Sequence, residues 1–242
     1  WQRPLVGLSA TPFKGSASDT KSTEALAARF GHNRLAAFEE NAYAQLVKLG
    51  VLAKVRHEVL PGIDISLSRL QENAISSTRL IDKSLYEEIG RSEARMKVLV
   101  EHILSQDPEW PILVFTPSVL SAQVLAASLR YRKVAAASVG GQTGRQERRD
   151  VINRFKAGEI RVLANCDLLA QGFDAPGVRA LYIARPTFSP SAYIQMAGRG
   201  LRGTKNGGKE ECLIVDVADN WGAMNDFLGY QDYKELWKEQ QA

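Results

Sequence analysis

Cysteine and histidine are scarce in this chain, and each scarcity removes a class of chemistry. The two cysteines, Cys166 and Cys212, form no disulfide framework and have no metal-ligand spacing. Both sit in strand-like surroundings, where a small buried hydrophobe is the expected role. Of the three histidines, His57 has no ligand set near it and reads as a strand residue with no chemistry. No metal site is expected. Long apolar runs are missing too: none reaches the ~18 residues that a membrane-spanning helix needs, so no membrane partner is expected. The opening, Trp1-Gln2-Arg3-Pro4, lacks the basic, apolar and small-residue regions of a secretory signal, and a cytoplasmic protein is expected. It also lacks a methionine, and a strand-like run begins almost at once, so the chain reads as a piece excised from something longer. Internal repeats and low-complexity tracts are absent.

What is present belongs to an ordinary folded protein. Hydrophobic residues make up 45% and charged residues 24% of 242 residues, enough for one large domain or one domain with appendages. The net charge of +4 leans towards an anionic partner. That excess is local, with ten Lys and Arg against five Asp and Glu between Gly140 and Arg202.

Periodicity separates two regions. Early on, Leu5 to Leu8 is a short strand candidate followed by a loop, Ser9-Ala10-Thr11-Pro12, because proline biases Thr11 away from helix. Residues 36–49 have helical spacing stopped by Gly50. Val51 to Leu60 alternates as a half-buried strand ended by Pro61-Gly62. The stretch from Ser66 to Gly90 reads as helix, and Arg91 to Gln106 as an amphipathic helix on the stripe Met96, Leu99, Val100, Ile103, Leu104.

From Pro111 onward the alternation is regular. Strand Ile112 to Thr116 leads to a helix from Ser118 to Arg130, strand Val134 to Val139, a helix from Arg145 to Lys156 and strand Ile160 to Ala164. Strand Ala180 to Ala184, a helix carrying Gln195 and Arg199, and strand Cys212 to Val217 follow, then a helical tail. Strands alternating with helices over short loops predict an α/β fold: a parallel sheet with helices on both faces. The division expected is 1–20, 21–110 as a connecting region, 111–220 as the main sheet domain, and 221–242 as a tail. Ligands of such sheets bind beyond the carboxyl ends of the strands.

The residues that carry chemistry cluster at those ends. Gln195-Met196-Ala197-Gly198-Arg199-Gly200-Leu201-Arg202 places two arginines three apart, on one face if the segment is helical, and a planar guanidinium suits phosphate oxygens. Thr116-Pro117-Ser118 offers hydroxyls and free N–H groups at a helix start, which suits a phosphate or simply caps the helix. Gly141-Gln142-Thr143 lets main chain approach a ligand ahead of another helix.

In this order, Ser9-Ala10-Thr11, the segment from Asn165 and Asp167 to Gly172-Phe173-Asp174, and Gln-x-x-Gly-Arg-x-x-Arg resemble motifs III, V and VI of superfamily 2 helicases. The Thr116 edge is similar to motif IV. The resemblance implies a RecA-like P-loop NTPase fold, with 1–20 closing a first such domain and 111–220 forming the second. It implies that ATP and Mg2+ sit between this domain and the first, with Gly172, Asp174 and Gly198 at the nucleotide and Gln195, Arg199 and Arg202 in catalysis. Thr116, Pro117, Ser118, Gly141, Gln142, Thr143, Arg148 and Asp167 would touch single- or double-stranded nucleic acid, and Ser9, Ala10 and Thr11 would couple hydrolysis to movement.

Departures matter as well. Gln146 is shifted by one from its usual DEAD-box position, where Arg145 stands, and the wording looks closer to RadD-type DNA repair helicases and restriction-enzyme motor subunits. DNA is therefore favoured over RNA. No complete phosphate-binding loop or Asp-Glu box occurs in the chain, so this piece alone should be inactive. Gly203 to Lys209 imitates such a loop, but Glu210 replaces the required Ser or Thr. The rival reading is a nucleic-acid-binding RecA-like module without hydrolysis; a second is a restriction motor with a nuclease domain elsewhere.

Overall fold

The computed structural model describes residues 20–32, 41–166, 168, 169 and 173–238. In chain order the elements are α1 (Thr20–Ala28), α2 (Ala42–Lys48), β1 (Lys54–Asp64), α3 (Arg69–Thr78), α4 (Lys83–Gly90), α5 (Glu93–Ser105), β2 (Ile112–Phe115) and α6 (Val119–Tyr131). They continue as β3 (Ala136–Val139), α7 (Arg145–Lys156), β4 (Val162–Asn165), β5 (Ala180–Ile183), α8 (Pro190–Ala197), β6 (Glu211–Asn220) and α9 (Lys234–Lys238). Short 3-10 turns lie at Thr204–Asn206 and Gly222–Phe227. The strand candidate Leu5 to Leu8 and the residues Ser9, Ala10 and Thr11 lie outside the described residues.

The strands form one six-stranded sheet in the order β1-β6-β5-β2-β4-β3, and every pairing is parallel. Parallel neighbours require crossovers, and helices supply them on both faces. The two-residue period of the strands sorts side chains between those faces. Leu113, Phe115, Leu163, Leu181 and Ile214 meet Phe155 of α7, Tyr193 of α8 and Trp237 of α9 on one side. Ile112, Val114, Val162, Tyr182 and Val215 meet Leu99 and Ile103 of α5 and Leu125 and Leu129 of α6 on the other.

The expected connecting region contributes to this sheet directly. Strand β1 pairs with β6 from Lys54 opposite Glu211 to Pro61 opposite Ala218, which makes it an edge strand. Its alternation holds at Val55, which is buried, but Val59 is 47% exposed while Leu60 is buried on the opposite face. The tail folds back: Trp237 is fully buried, edge-on to Tyr43 of α2 at 5.3 Å and stacked with Tyr233 at 6.1 Å.

A satellite core anchors α3 and α4. Ile75, Ile81, Leu85 and Ile89 pack with Phe188, Trp221, Met224 and Leu228. Side-chain caps start both helices: Ser68 and Gln71 form a reciprocal box on α3, and Asp82 accepts from the Leu85 amide at 2.9 Å on α4.

Candidate functional site

Beyond the carboxyl ends of β2, β3 and β4, the chain encloses a groove of about 680 Å3. Pro117 and Ser118 line it from the end of β2, Gly141 and Gln142 from the end of β3, and Cys166 from the end of β4. Four of the residues expected at a nucleic-acid track, Pro117, Ser118, Gly141 and Gln142, are thereby brought together. Gly141 needs no glycine for backbone reasons, since its φ is not positive, and a Cβ there would meet nothing within 4 Å. The Cβ side of its main chain is open.

Three other expected contact residues make hydrogen bonds within the chain. Thr116 is 1% exposed, and its hydroxyl donates to the carbonyls of Ser118 and Asn165, both at 3.0 Å. It is withdrawn because the strand end has to turn sharply into α6, and that turn uses the hydroxyl as an internal tie. Thr143 accepts from the Gly140 amide at 2.9 Å, which closes the glycine turn. Arg148 reaches back from α7 and donates to the Thr143 carbonyl at 3.1 Å, so it braces that turn. The Ser118 hydroxyl caps α6 through the Ser121 amide at 3.1 Å, while its residue still borders the groove. Asp167 and Gly172 lie outside the described residues.

The arginine segment differs from expectation. Helix α8 stops at Ala197 with Gly198 as its C-cap, and the amides of Arg199 and Gly200 turn back to Met196 and Ala197 carbonyls at 3.0 Å. Gly200 is the pivot: a Cβ there would come within 2.7 Å of Cys212 Sγ on β6. The turn drops Leu201 into the core at 5% exposure and sends Arg202 into a bridge with Leu52. Arg199 and Arg202 therefore do not share a helix face.

They converge all the same. Arg199 Nη1 donates to the Phe173 carbonyl at 2.7 Å, and Arg202 Nε pairs with Asp174 Oδ1 at 3.2 Å. Burial, followed by the nearby Arg202 charge, pulls the Arg199 guanidinium below its ordinary range, and Asp174 opposes that pull. The Arg202 and Asp174 side chains remain 41% and 64% exposed. An exposed pair of this kind is worth about 0–1 kcal/mol, so Arg202 can trade its carboxylate for a phosphate at little cost. Gln195 sits half-buried on α8 one turn earlier.

The helix bearing Gln195 is locked from behind by a network that the sequence reading missed. His57 Nε2 lies 2.7 Å from Asp216 Oδ2, Tyr193 Oη donates to the same oxygen at 2.9 Å, and Trp237 Nε1 donates to Tyr193 Oη at 3.4 Å. Burial pushes the Asp216 carboxyl above the usual carboxylate range, against the hydrogen bonds from His57 and Tyr193. Each partner stands on a different element, β1, β6, α8 or α9, so local spacing carried no signal of it. His57 is thus a structural tie and not an isolated strand residue.

The loop that imitates a phosphate cradle is closed to one. The amides of Gly203, Lys205, Asn206, Gly207, Gly208 and Lys209 all bond to carbonyls of the chain itself, at 2.9 to 3.2 Å. A phosphate there would have to displace them.

Residues 94–204 match the helicase conserved C-terminal domain family. Over that stretch the chain carries a helicase conserved C-terminal domain, on a RecA-like fold. A "51.5 kDa protein" of a Lactococcus phage (isolate 7-9) is 28% identical over 236 residues, 98% of this chain and 47% of that one. A Saccharomyces cerevisiae protein carrying the ATP-dependent helicase name IRC3 is 42% identical over 78 residues, 32% of this chain and 11% of its own. The ATP-dependent RNA helicase ROK1 of Meyerozyma guilliermondii is 28% identical over 132 residues, 54% of this chain and 24% of that one. The chain thus spans less than half of the length of these relatives. Its fold is that of the C-terminal domain of the DEAD-box protein Dbp5, with a TM-score of 0.52, 17% identity, and 76% and 86% of the two chains covered. A fragment from Vibrio vulnificus YJ016 carrying the name of the HsdR subunit of a type I restriction enzyme gives 0.55 at 22% identity, covering 81% of this chain and 39% of that one.

Proposed function

We propose that the protein to which this domain belongs is an ATP-dependent helicase or translocase in which the groove holds a nucleic-acid strand and the arginine segment completes a nucleotide site. The observation that carries the reading is that residues close in sequence stand at both places: Cys166 and Leu168 line the groove, and Phe173 and Asp174 meet Arg199 and Arg202.

The residues present fit one half of a nucleotide site. Arg202 and Asp174 are exposed and charged where a phosphate and a ribose would be met, while no cluster of carboxylates able to hold a metal occurs among the described residues. ATP with Mg2+ would supply the free energy of phosphoryl transfer. This chain's part is positioning: Arg199 is tied to the Phe173 carbonyl, and Arg202 offers the planar fork.

DNA is the favoured track, in repair or restriction. Relatives named for RNA helicases weigh the other way, but the start of α7 departs from the DEAD-box wording, with Arg145 standing where glutamine is usual. The test is fluorescence anisotropy of the chain with labelled oligo(dT) and oligo(U), at about 50 and 200 mM salt. Weak binding that falls steeply with salt, ignores base sequence and prefers oligo(dT) is expected. Salt-insensitive or base-specific binding overturns the groove as a phosphate track, and preference for oligo(U) overturns the DNA assignment alone.

A further inference from the structure

One wall of the groove comes from a helix that precedes the matched family residues 94–204. Helix α4 serves both sides. Leu85 and Ile89 go into the satellite core, while Lys83, Tyr86 and Glu87, with the C-cap Arg91, line the groove along with Gly141 and Gln142; Tyr86 also packs against that core. Glu87 is neutralised by Lys83 at 3.7 Å and Arg91 at 3.9 Å, so this wall carries a positive surplus.

Against this wall, Arg185, two residues past the end of β5, also lines the groove. Its guanidinium lies 3.7 Å from the centre of the Tyr86 ring, and its Nη1 donates to the Pro117 carbonyl at 2.9 Å. The ring is itself fixed, because Tyr86 Oη donates to the Pro186 carbonyl at 3.1 Å. A stacked and hydrogen-bonded arginine has already given up the rotamer freedom that an ordinary surface arginine loses on binding. The same stack also creates an aromatic and guanidinium edge of the type on which single-stranded bases rest.

We propose that α4 is the second wall of the strand groove and that Arg185, held flat by Tyr86, contacts a backbone phosphate of a single nucleic-acid strand. Tyr86 is a positioning residue that acts through Arg185. The inference rests on the groove reading above and adds residues to it that the helicase motifs do not include.

The experiment measures the affinity of oligo(dT) for the chain as a function of salt, for wild type, Arg185→Ala, Arg185→Lys, Tyr86→Leu and Lys83→Ala, each checked by thermal melting. Loss of one single-strand phosphate contact should weaken binding by about tenfold and make the slope of log K against log salt shallower by about 0.7 for Arg185→Ala. Arg185→Lys keeps the charge and loses the fork, so it should keep the slope while losing affinity. Tyr86→Leu should behave like Arg185→Lys, since the cation survives without its platform, whereas a merely structural tyrosine would change melting and leave affinity alone. Lys83→Ala should weaken binding with a shallower slope. Wild-type affinity and slope in Arg185→Ala or Arg185→Lys overturn the proposal while leaving the groove reading intact. Absence of salt-dependent binding by wild type overturns both, which keeps the two failures distinct.

Discussion

Replacing Arg95 by methionine should be among the most damaging single changes in this domain, and its cost can be worked from the geometry. Arg95 on α5 is 3% exposed, and Asp219 at the end of β6 is 2% exposed. Arg95 Nε lies 2.9 and 3.2 Å from the two carboxylate oxygens, Nη2 is 3.0 Å from Oδ2, and Nη2 also donates to the Ala184 carbonyl. Asp219 would be left with the Ile63 amide at 3.2 Å. Removing one partner of such a pair strands a buried charge and costs about 3–5 kcal/mol. For a domain of this size that corresponds to a fall in Tm of roughly 6–20 °C. Urea unfolding followed by circular dichroism, with calorimetry for Tm, measures both. The double variant Arg95→Met/Asp219→Asn removes the stranded charge and should recover a good part of the loss. A single-variant cost below about 1 kcal/mol, or a double variant no better than the single, would refute the reasoning. A functional echo is expected as well, because the Ala184 carbonyl that Arg95 holds belongs to the residue before Arg185.

Three further outcomes are expected. In the full-length protein, Arg202→Lys should leave ATP and nucleic-acid affinity within a few fold while lowering kcat by about 10^3 or more, read from steady-state ATPase kinetics; normal turnover would remove Arg202 from the mechanism. The present chain alone should show no ATPase above a control lacking Arg199 and Arg202, and stimulated turnover would contradict that. Burial raises the Asp216 carboxyl in the folded state, so its contribution to stability is present below the unfolded value near 3.8 and is lost as pH rises through the folded value; the difference in unfolding free energy between wild type and Asp216→Asn, measured across that range, should shift in the variant's favour as pH rises.

Much of the sheet was legible because local chemistry marks each element. Ser118 caps α6 as its position before the helix implies, α7 runs from Arg145 to Lys156 as its spacing implies, and Gly50 with φ +70 ends α2. Pairing partners were not legible. Nothing in the Lys54–Asp64 alternation says that its neighbour is the last strand of the sheet, because periodicity reports which face is buried and never against what. The same limit hid His57, whose partner Asp216 is on that last strand. For the site, motif wording carries no side-chain directions. Thr116 turned inward to tie a bend, and Gly198 with Gly200 unwound the helix that was to align the two arginines. Arg185 and Tyr86 had no signal at all, being a loop cation and a helical aromatic that only the fold brings into contact.

The parallel pairing of β1 with β6 has a consequence for how the domain is made. Lys54 waits for Glu211, and every other strand of the sheet is synthesised in the interval. At a ribosomal rate of about 5–20 residues per second, β1 spends roughly eight to thirty seconds without its neighbour. Val55 and Leu60, both buried in the finished sheet, are exposed over that time or shielded by something temporary. A nascent chain stalled before Glu211 should therefore keep β1 open to proteases and chaperones, and become resistant once Asn220 has cleared the exit tunnel.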